Sequence, residues 1–124
     1  MNKKRVFVSY DFDNDKVLKD FIIGQSKLPD APFEVVDVSL KEEAPEEDWV
    51  SRAEAKIKSS EIVLVMVGPR TYQASGVARE VALARKWQKS IAQVIGYRDA
   101  SPNPVPSAGR LYSWNWENLK KLLS

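Results

Sequence analysis

Neither cysteine nor histidine occurs in the chain. Without thiols or imidazoles there is no thiol nucleophile, no disulfide, no Cys/His zinc site and no Ser-His or Cys-His relay. Acid-base chemistry must rest on Asp, Glu, Lys or Tyr. A chain free of disulfides suits a reducing compartment. An excess of one charge is also missing. The 19 basic and 17 acidic residues leave a formal net charge of +2, whereas nucleic-acid binding needs a concentrated basic face. The short run Lys3-Lys4-Arg5 leads into an apolar stretch and reads as solvated. No segment approaches the ~20 apolar residues that span a bilayer, and Val6-Phe7-Val8 is too short for the apolar region of a signal peptide. The expectation is a cytoplasmic protein with neither nucleic acid nor membrane as partner. Glycine is absent before Gly24, so no Gly-rich phosphate loop follows the first apolar run.

What is present is enough for one core. The 124 residues, 44% of them apolar, are expected to form a single domain over residues 1–124. Arg5 to Tyr10 reads as a strand buried on both faces. Asp11 to Asn14 is a polar break, and Val17, Leu18, Phe21 and Ile22 then recur at helical spacing before Gly24 and Pro29. Phe33 to Val38 is a second strand. Pro45 suits a first helical turn. Acidic Glu46 to Asp48 at its start and Lys56 and Lys58 at its end suit a helix dipole. Trp49, Ala53 and Ile57 would face the sheet. Ile62 to Val67 is an unbroken apolar run, short and β-branched, and reads as the central strand. A helix over Ser75 to Lys89 and a strand over Ile91 to Ile95 follow. Asp99 to Gly109, with three of the seven prolines, reads as a loop; Leu111 to Ser113 as a short edge strand; and Asn115 as the cap of a last helix carrying Trp116, Leu119, Leu122 and Leu123. This alternation implies an α/β, flavodoxin-like three-layer fold with a five-stranded parallel sheet of order 2-1-3-4-5.

In such a sheet a ligand sits beyond the carboxyl ends of the strands where the order reverses, here between strands one and three. The loops meeting there are Ser9 to Asp13 and Gly68 to Tyr72, with Asp37 to Ser39 alongside. A receiver domain would need an acceptor Asp at the end of the third strand, where this chain has Val67-Gly68. Asp11 and Asp13 admit two readings, helix capping or ligand contact. Glu80 carries more information. On a wheel of about 100° per residue, Leu83 and Trp87 flank it on one side and Ala84, Val77 and Val81 on the other, with Arg79, Arg85 and Lys86 opposite. A carboxylate in an apolar stripe needs compensation. From the residues alone it is either a hydrogen-bonded core glutamate or a functional group near the cleft.

Val6-Phe7-Val8-Ser9-Tyr10-Asp11 resembles the opening strand of Toll/interleukin-1 receptor (TIR) domains. The segment from Ser59 to Gly68 resembles the family's third strand with its lead-in, and Ala78 to Ala84 with Ser90 to Gly96 is similar to the helix carrying its acidic residue and the strand after it. The prokaryotic TIR-like branch that includes the sensors of Thoeris antiphage defence is the nearest in pattern, and the tail from Tyr112 to Trp116 is similar to it as well. The similarity runs from about Lys4 to Leu123. Where relatives often carry Trp four residues before the glutamate, this chain has Gly76.

The resemblance implies cleavage of NAD at the nicotinamide-ribose bond. NAD would be a consumed substrate, with no permanent cofactor and no metal. The product would be a cyclic or modified ADP-ribose signal, read by a separate effector protein. Glu80 maps onto the family's catalytic glutamate, and Ser9, Tyr10 and Asp11 onto the lining of the nucleotide cleft, with Asp37 and Ser39 beside it. Thr71, in the loop after the third strand, completes the candidate nucleotide-binding set. Family enzymes often assemble to complete their sites, so self-association is expected. Because nicotinamide leaves as a neutral group, one carboxylate can suffice, unlike the pair of ordinary glycosidases. Tyr10, Phe12, Tyr72 and Trp87 are candidate stacking surfaces. Two other readings are a non-catalytic nucleotide-binding or TIR-TIR interaction module, and a nucleoside deoxyribosyltransferase-like enzyme.

Overall fold

The computed structural model describes residues 3–38, 46–97 and 100–123. Its elements run β1 (Lys4–Tyr10), α1 (Lys16–Ser26), β2 (Phe33–Val38), α2 (Glu46–Lys58), β3 (Ile62–Val67), α3 (Ser75–Lys86), β4 (Ser90–Ile95), β5 (Leu111–Tyr112) and α4 (Trp116–Leu122), with a 3-10 turn over Thr71–Gln73 before α3. The strands form one five-stranded sheet in the order β2-β1-β3-β4-β5, and every pairing is parallel. The fold is thus α/β and flavodoxin-like, as the alternation of elements implies. Central β3 is buried along its whole length, which is why its sequence shows no polar alternation. The β1-β2 register slips between Val6 and Phe7, so Val6 pairs with Val35 and Phe7 with Asp37.

Each face of the sheet has its own apolar layer. Val6, Val8, Leu64 and Met66 pack with Leu18 and Ile22 of α1 and with Leu119 and Leu123 around α4. Phe7, Val63, Val65 and Val67 pack with Ile57 of α2 and Val77, Val81 and Ala84 of α3. Strand alternation on β1 and β3 therefore sorts the helices into two layers.

Two features depart from the pattern or extend it. Helix α3 ends at Lys86, not Lys89. Gln88 takes a left-handed conformation with φ 55. Its N–H donates to Arg85 O, and the Lys89 N–H donates to Ala84 O at 2.8 Å. This is a Schellman closure in which Gln replaces the usual Gly, so the ordinary stop signal is missing from the sequence. Trp87 is consequently carried out of the apolar stripe. Its ring is exposed, its Nε1 donates to Glu54 at 2.8 Å, and the Lys58 ammonium lies 4.3 Å from its centre.

The second feature is the proline-rich segment before β5. Gln93 in β4 is fully buried. Its Nε2 donates to the carbonyls of Val105 at 3.2 Å and Gly109 at 2.6 Å, and its Oε1 accepts from the Val105 N–H at 2.8 Å. One side-chain amide thus satisfies loop groups that a helix would otherwise pair internally. Gln93→Leu should strand those buried groups and destabilise the chain by about 2–4 kcal/mol. Urea unfolding at neutral pH checks this, and Gln93→Glu, which would set a buried carboxylate oxygen against the Val105 and Gly109 carbonyls, should be at least as destabilising as Gln93→Leu.

Candidate functional site

Alternation on β1 turns Val6, Val8 and Tyr10 toward α1 and Phe7 toward α3. Ser9 shares the Phe7 side. It meets Glu80 there: Ser9 Oγ donates to Glu80 Oε1 at 2.7 Å, and both residues are fully buried. Glu80 lies in the second turn of α3 among buried Val77, Val81 and Ala84. A charge in such a layer is tolerable only with hydrogen-bonding compensation. The Ser9 hydroxyl, at the carboxyl end of a central strand, supplies part of it.

A cleft of about 440 Å³ opens above this pair, at the point where the strand order reverses. One wall is the β1-α1 loop from Tyr10 to Asn14. The other is formed by Arg70 and by residues 73–77 leading into α3. Trp49 of α2 adds an aromatic side, and Glu80 lies at the floor. Ala74 holds the N-cap position of α3 and lines the cleft together with Ser75, Gly76 and Val77, so the start of this 12-residue helix borders the same space.

The candidate residues divide as follows. Tyr10, Asp11 and Glu80 line the cleft, and Ser9 lies beneath it on Glu80. Asp11 Oδ2 accepts from Asn14 Nδ2 at 2.7 Å. Neither Asp11 nor Asp13 serves as the N-cap of α1; that position is Asp15, whose side chain makes no capping bond. Asp37 is not among the lining residues: its Oδ2 is paired with Lys56 Nζ at 2.6 Å and its Oδ1 accepts from the Val38 N–H. Thr71 is fully buried away from the lining. Ser39 lies outside the described residues. Of the four proposed stacking rings, Tyr10 and Phe12 line the cleft, 5.9 Å apart and roughly parallel, whereas Tyr72 and Trp87 do not. Trp49, Arg70 and Gln73 also line the cleft, although the sequence singled out none of them for a role there. Trp49 does pack inward, at 4% exposure, but at the end of α2 that borders the cleft.

Thr71 belongs to a latch between the two loops. Its Oγ1 accepts from the Gly68 N–H at 2.7 Å and lies 3.5 Å from Asp15 Oδ2, while Asp15 Oδ1 accepts from the Tyr97 hydroxyl at 2.6 Å. Gly68 has no room for a side chain, since a Cβ there would run into the Asp15 carboxylate. Sequence position gave Thr71 the right loop, but its hydroxyl turns inward to hold that loop.

Two phenols carry raised pKa values. Tyr10 is pushed up to about 12, first by burial and then by the charges of Glu80 and Asp20. Tyr97 is also pushed up to about 12, first by burial, then by its bond to Asp15 and the charges of Asp15 and Asp11. Both are therefore neutral hydroxyls at physiological pH. As pH rises past 10.0, the ordinary value for a phenol, an unfolded chain loses these protons before the folded one does. Folded stability should thus fall between roughly pH 10 and 12. A spectrophotometric titration should show two late-ionising tyrosines, one removed by Tyr10→Phe and the other by Tyr97→Phe. Ionisation of both near pH 10 would contradict these environments.

Among the described residues no cluster of three His, Cys, Asp or Glu side chains is placed to hold a metal ion, and no helix is long and apolar enough to cross a membrane. No curated protein matches the chain. The family model described as Thoeris protein ThsB, TIR-like domain, matches residues 7–100, a span that takes in β1 from Phe7 onward, the residues lining the cleft and all of α3. The chain belongs to the Thoeris ThsB TIR-like domain family.

Proposed function

We propose that the chain cleaves NAD at the nicotinamide-ribose bond and releases a cyclic or otherwise modified ADP-ribose. The observation that carries this reading is the buried Glu80 carboxylate, held by Ser9 at the floor of the switch-point cleft. Membership of a Thoeris family supports a role in antiphage defence, where such a product would act on a separate effector protein.

The chemistry follows from the environment. Departure of neutral nicotinamide needs no general acid, and the reacting ribose develops oxocarbenium character. Glu80 would hold the ribose hydroxyls and oppose that positive charge. A carboxylate already fixed in an apolar layer acts without reorganising water around it, so its interaction is stronger than in bulk solvent. Ser9 is a positioning residue that fixes one carboxylate oxygen. Tyr10, Phe12 and Trp49 provide flat apolar surface for nicotinamide or base, and the neutral Tyr10 phenol adds no competing negative charge. Glu80 has no exposed surface, so substrate reaches it as the side chains at the cleft floor rotate aside.

That same closure favours a second reading, nucleotide binding without cleavage. Incubation of purified protein with NAD, alone and with extract of phage-infected cells, separates the two. Cleavage is expected in at least one condition. Glu80→Gln should lower the rate by roughly 10²–10³-fold, and Ser9→Ala should lower kcat by about tenfold with a smaller effect on KM, as expected for a lost positioning contact. NAD recovered intact in both conditions, with Glu80→Gln as protective in cells as wild type, would exclude the catalytic reading. NAD bound but unchanged would establish the second.

A further inference from the structure

The tail from Tyr112 to Trp116 takes no part in lining the cleft. Its last four residues border a separate cavity of about 540 Å³ at the β5 side of the sheet, where β4 and β5 end. Gln25 of α1, Tyr97, Ser113, Trp114, Asn115 and Trp116 line it, and none of these lines the cleft. The volume falls within the roughly 300–1,000 Å³ of small-ligand sites. None of the described lining residues carries a charge.

Three aromatic rings furnish the walls, and each is fixed through its own polar atom. Trp114 Nε1 donates to Gln25 Oε1 at 3.1 Å, Trp116 Nε1 to Asp30 Oδ2 at 3.1 Å, and the Tyr97 hydroxyl to Asp15 Oδ1 at 2.6 Å. Phe21 packs edge-on against Trp114 with ring centres 5.9 Å apart, and Phe33 lies 6.4 Å from the Trp116 ring. Both indoles touch the core, yet each is only half-buried. The polar groups beside these rings are uncommitted. Gln25 Oε1 is taken by Trp114, and Asn115 Oδ1 by the Asn118 N–H at 2.8 Å. Among the described residues, Gln25 Nε2, Asn115 Nδ2 and the Ser113 hydroxyl have no hydrogen-bond partner.

This combination selects a ligand chemistry. Rings already fixed lose little freedom when a ligand arrives. Their electron-rich faces attract the weakly positive C–H groups of a saturated ring. Ligand hydroxyls both donate and accept, so they suit two amide donors and a serine hydroxyl. A phosphorylated ligand would find no cation among the described lining residues. We propose that the cavity is a binding site for an uncharged saccharide. A pyranose lays its C–H face on the Trp114 or Trp116 indole, and its hydroxyls bond to Gln25 Nε2, Asn115 Nδ2 and Ser113 Oγ. This site is separate from the cleft and goes beyond the reaction proposed there.

Indole N–H resonances in nitrogen-proton correlation spectra of the full chain test this, with D-glucose, D-galactose, D-mannose and N-acetyl-D-glucosamine as probes. At least one sugar should shift Trp114 and Trp116 saturably while Trp49 and Trp87 stay in place. The expected Kd is millimolar, as about a dozen non-hydrogen atoms of ordinary efficiency supply. Trp114→Leu, read on Trp116, should weaken that sugar about tenfold, and Trp114→Phe, which keeps an aromatic face, should restore part of the loss. Asn115→Ser keeps a capping oxygen for α4 but removes the amide donor, and should weaken binding several-fold. Urea unfolding confirms that each variant is folded. Adenosine and glucose 6-phosphate should each bind more weakly than the best neutral sugar. Either of them binding more tightly than every sugar would overturn the assignment. So would indoles unmoved by all four sugars at about 50 mM, or shifts that Trp114→Leu and Asn115→Ser leave unchanged. NAD is in none of these samples, so failure here leaves the cleavage reading intact, and failure of that reading leaves this one.

Discussion

A carboxylate inside an apolar layer is the constraint around which this molecule is arranged. Glu80 projects from α3 into side chains of Val77, Val81 and Ala84, and Ser9 reaches it from β1. Left uncompensated, such a group costs several kcal/mol. It therefore requires a hydroxyl at the carboxyl end of β1, on the side of that strand facing α3. It also requires α3 to start beside the point where the sheet order reverses. The parallel topology meets both needs, because β1 and β3 are neighbours and the chain leaves β3 directly into the turn before α3.

The loops bordering the cleft are held by polar contacts that do not face a ligand. Thr71, Asp15, Tyr97 and the Gly68 amide join the loop after β3 to the start of α1 and the end of β4. Thr71 and Asp15 are buried and Tyr97 is partly so, and the latch sets loop position from outside the lining of the cleft. Rigid loops around a held carboxylate are what a site needs if binding is to orient a bond for cleavage.

Much of the architecture was legible because the apolar pattern is strong. Ile62 to Val67 and Phe33 to Val38 form strands over the expected residues, and the Glu80 stripe lies on the buried face of α3. The shortfalls have physical causes. The end of α3 was hidden because Gln88 occupies a left-handed position with no glycine to announce it, and Trp87 was misplaced as a result. Topology shows which loops meet at a switch point but not which side chains turn outward. Thr71 therefore proved to be a latch residue, and Asp37 an ion-pair partner of Lys56. Trp49 was read as facing the sheet. Burial and cleft-lining are compatible at the end of a helix, and periodicity does not separate them. Arg70 has no periodic neighbours to mark it, and Gln93 reads as one polar residue in an apolar strand until its loop partners are in place.

The central claim is that Glu80 is the group a bound nucleotide meets in this cleft. A crystal structure of Glu80→Gln in complex with NAD tests it most directly. The account predicts the nicotinamide ribose hydroxyls within hydrogen-bonding distance of residue 80, with nicotinamide against Tyr10, Phe12 or Trp49. Clear density for NAD elsewhere on the surface, with Ser9 and residue 80 still sealed beneath an empty cleft, would contradict it.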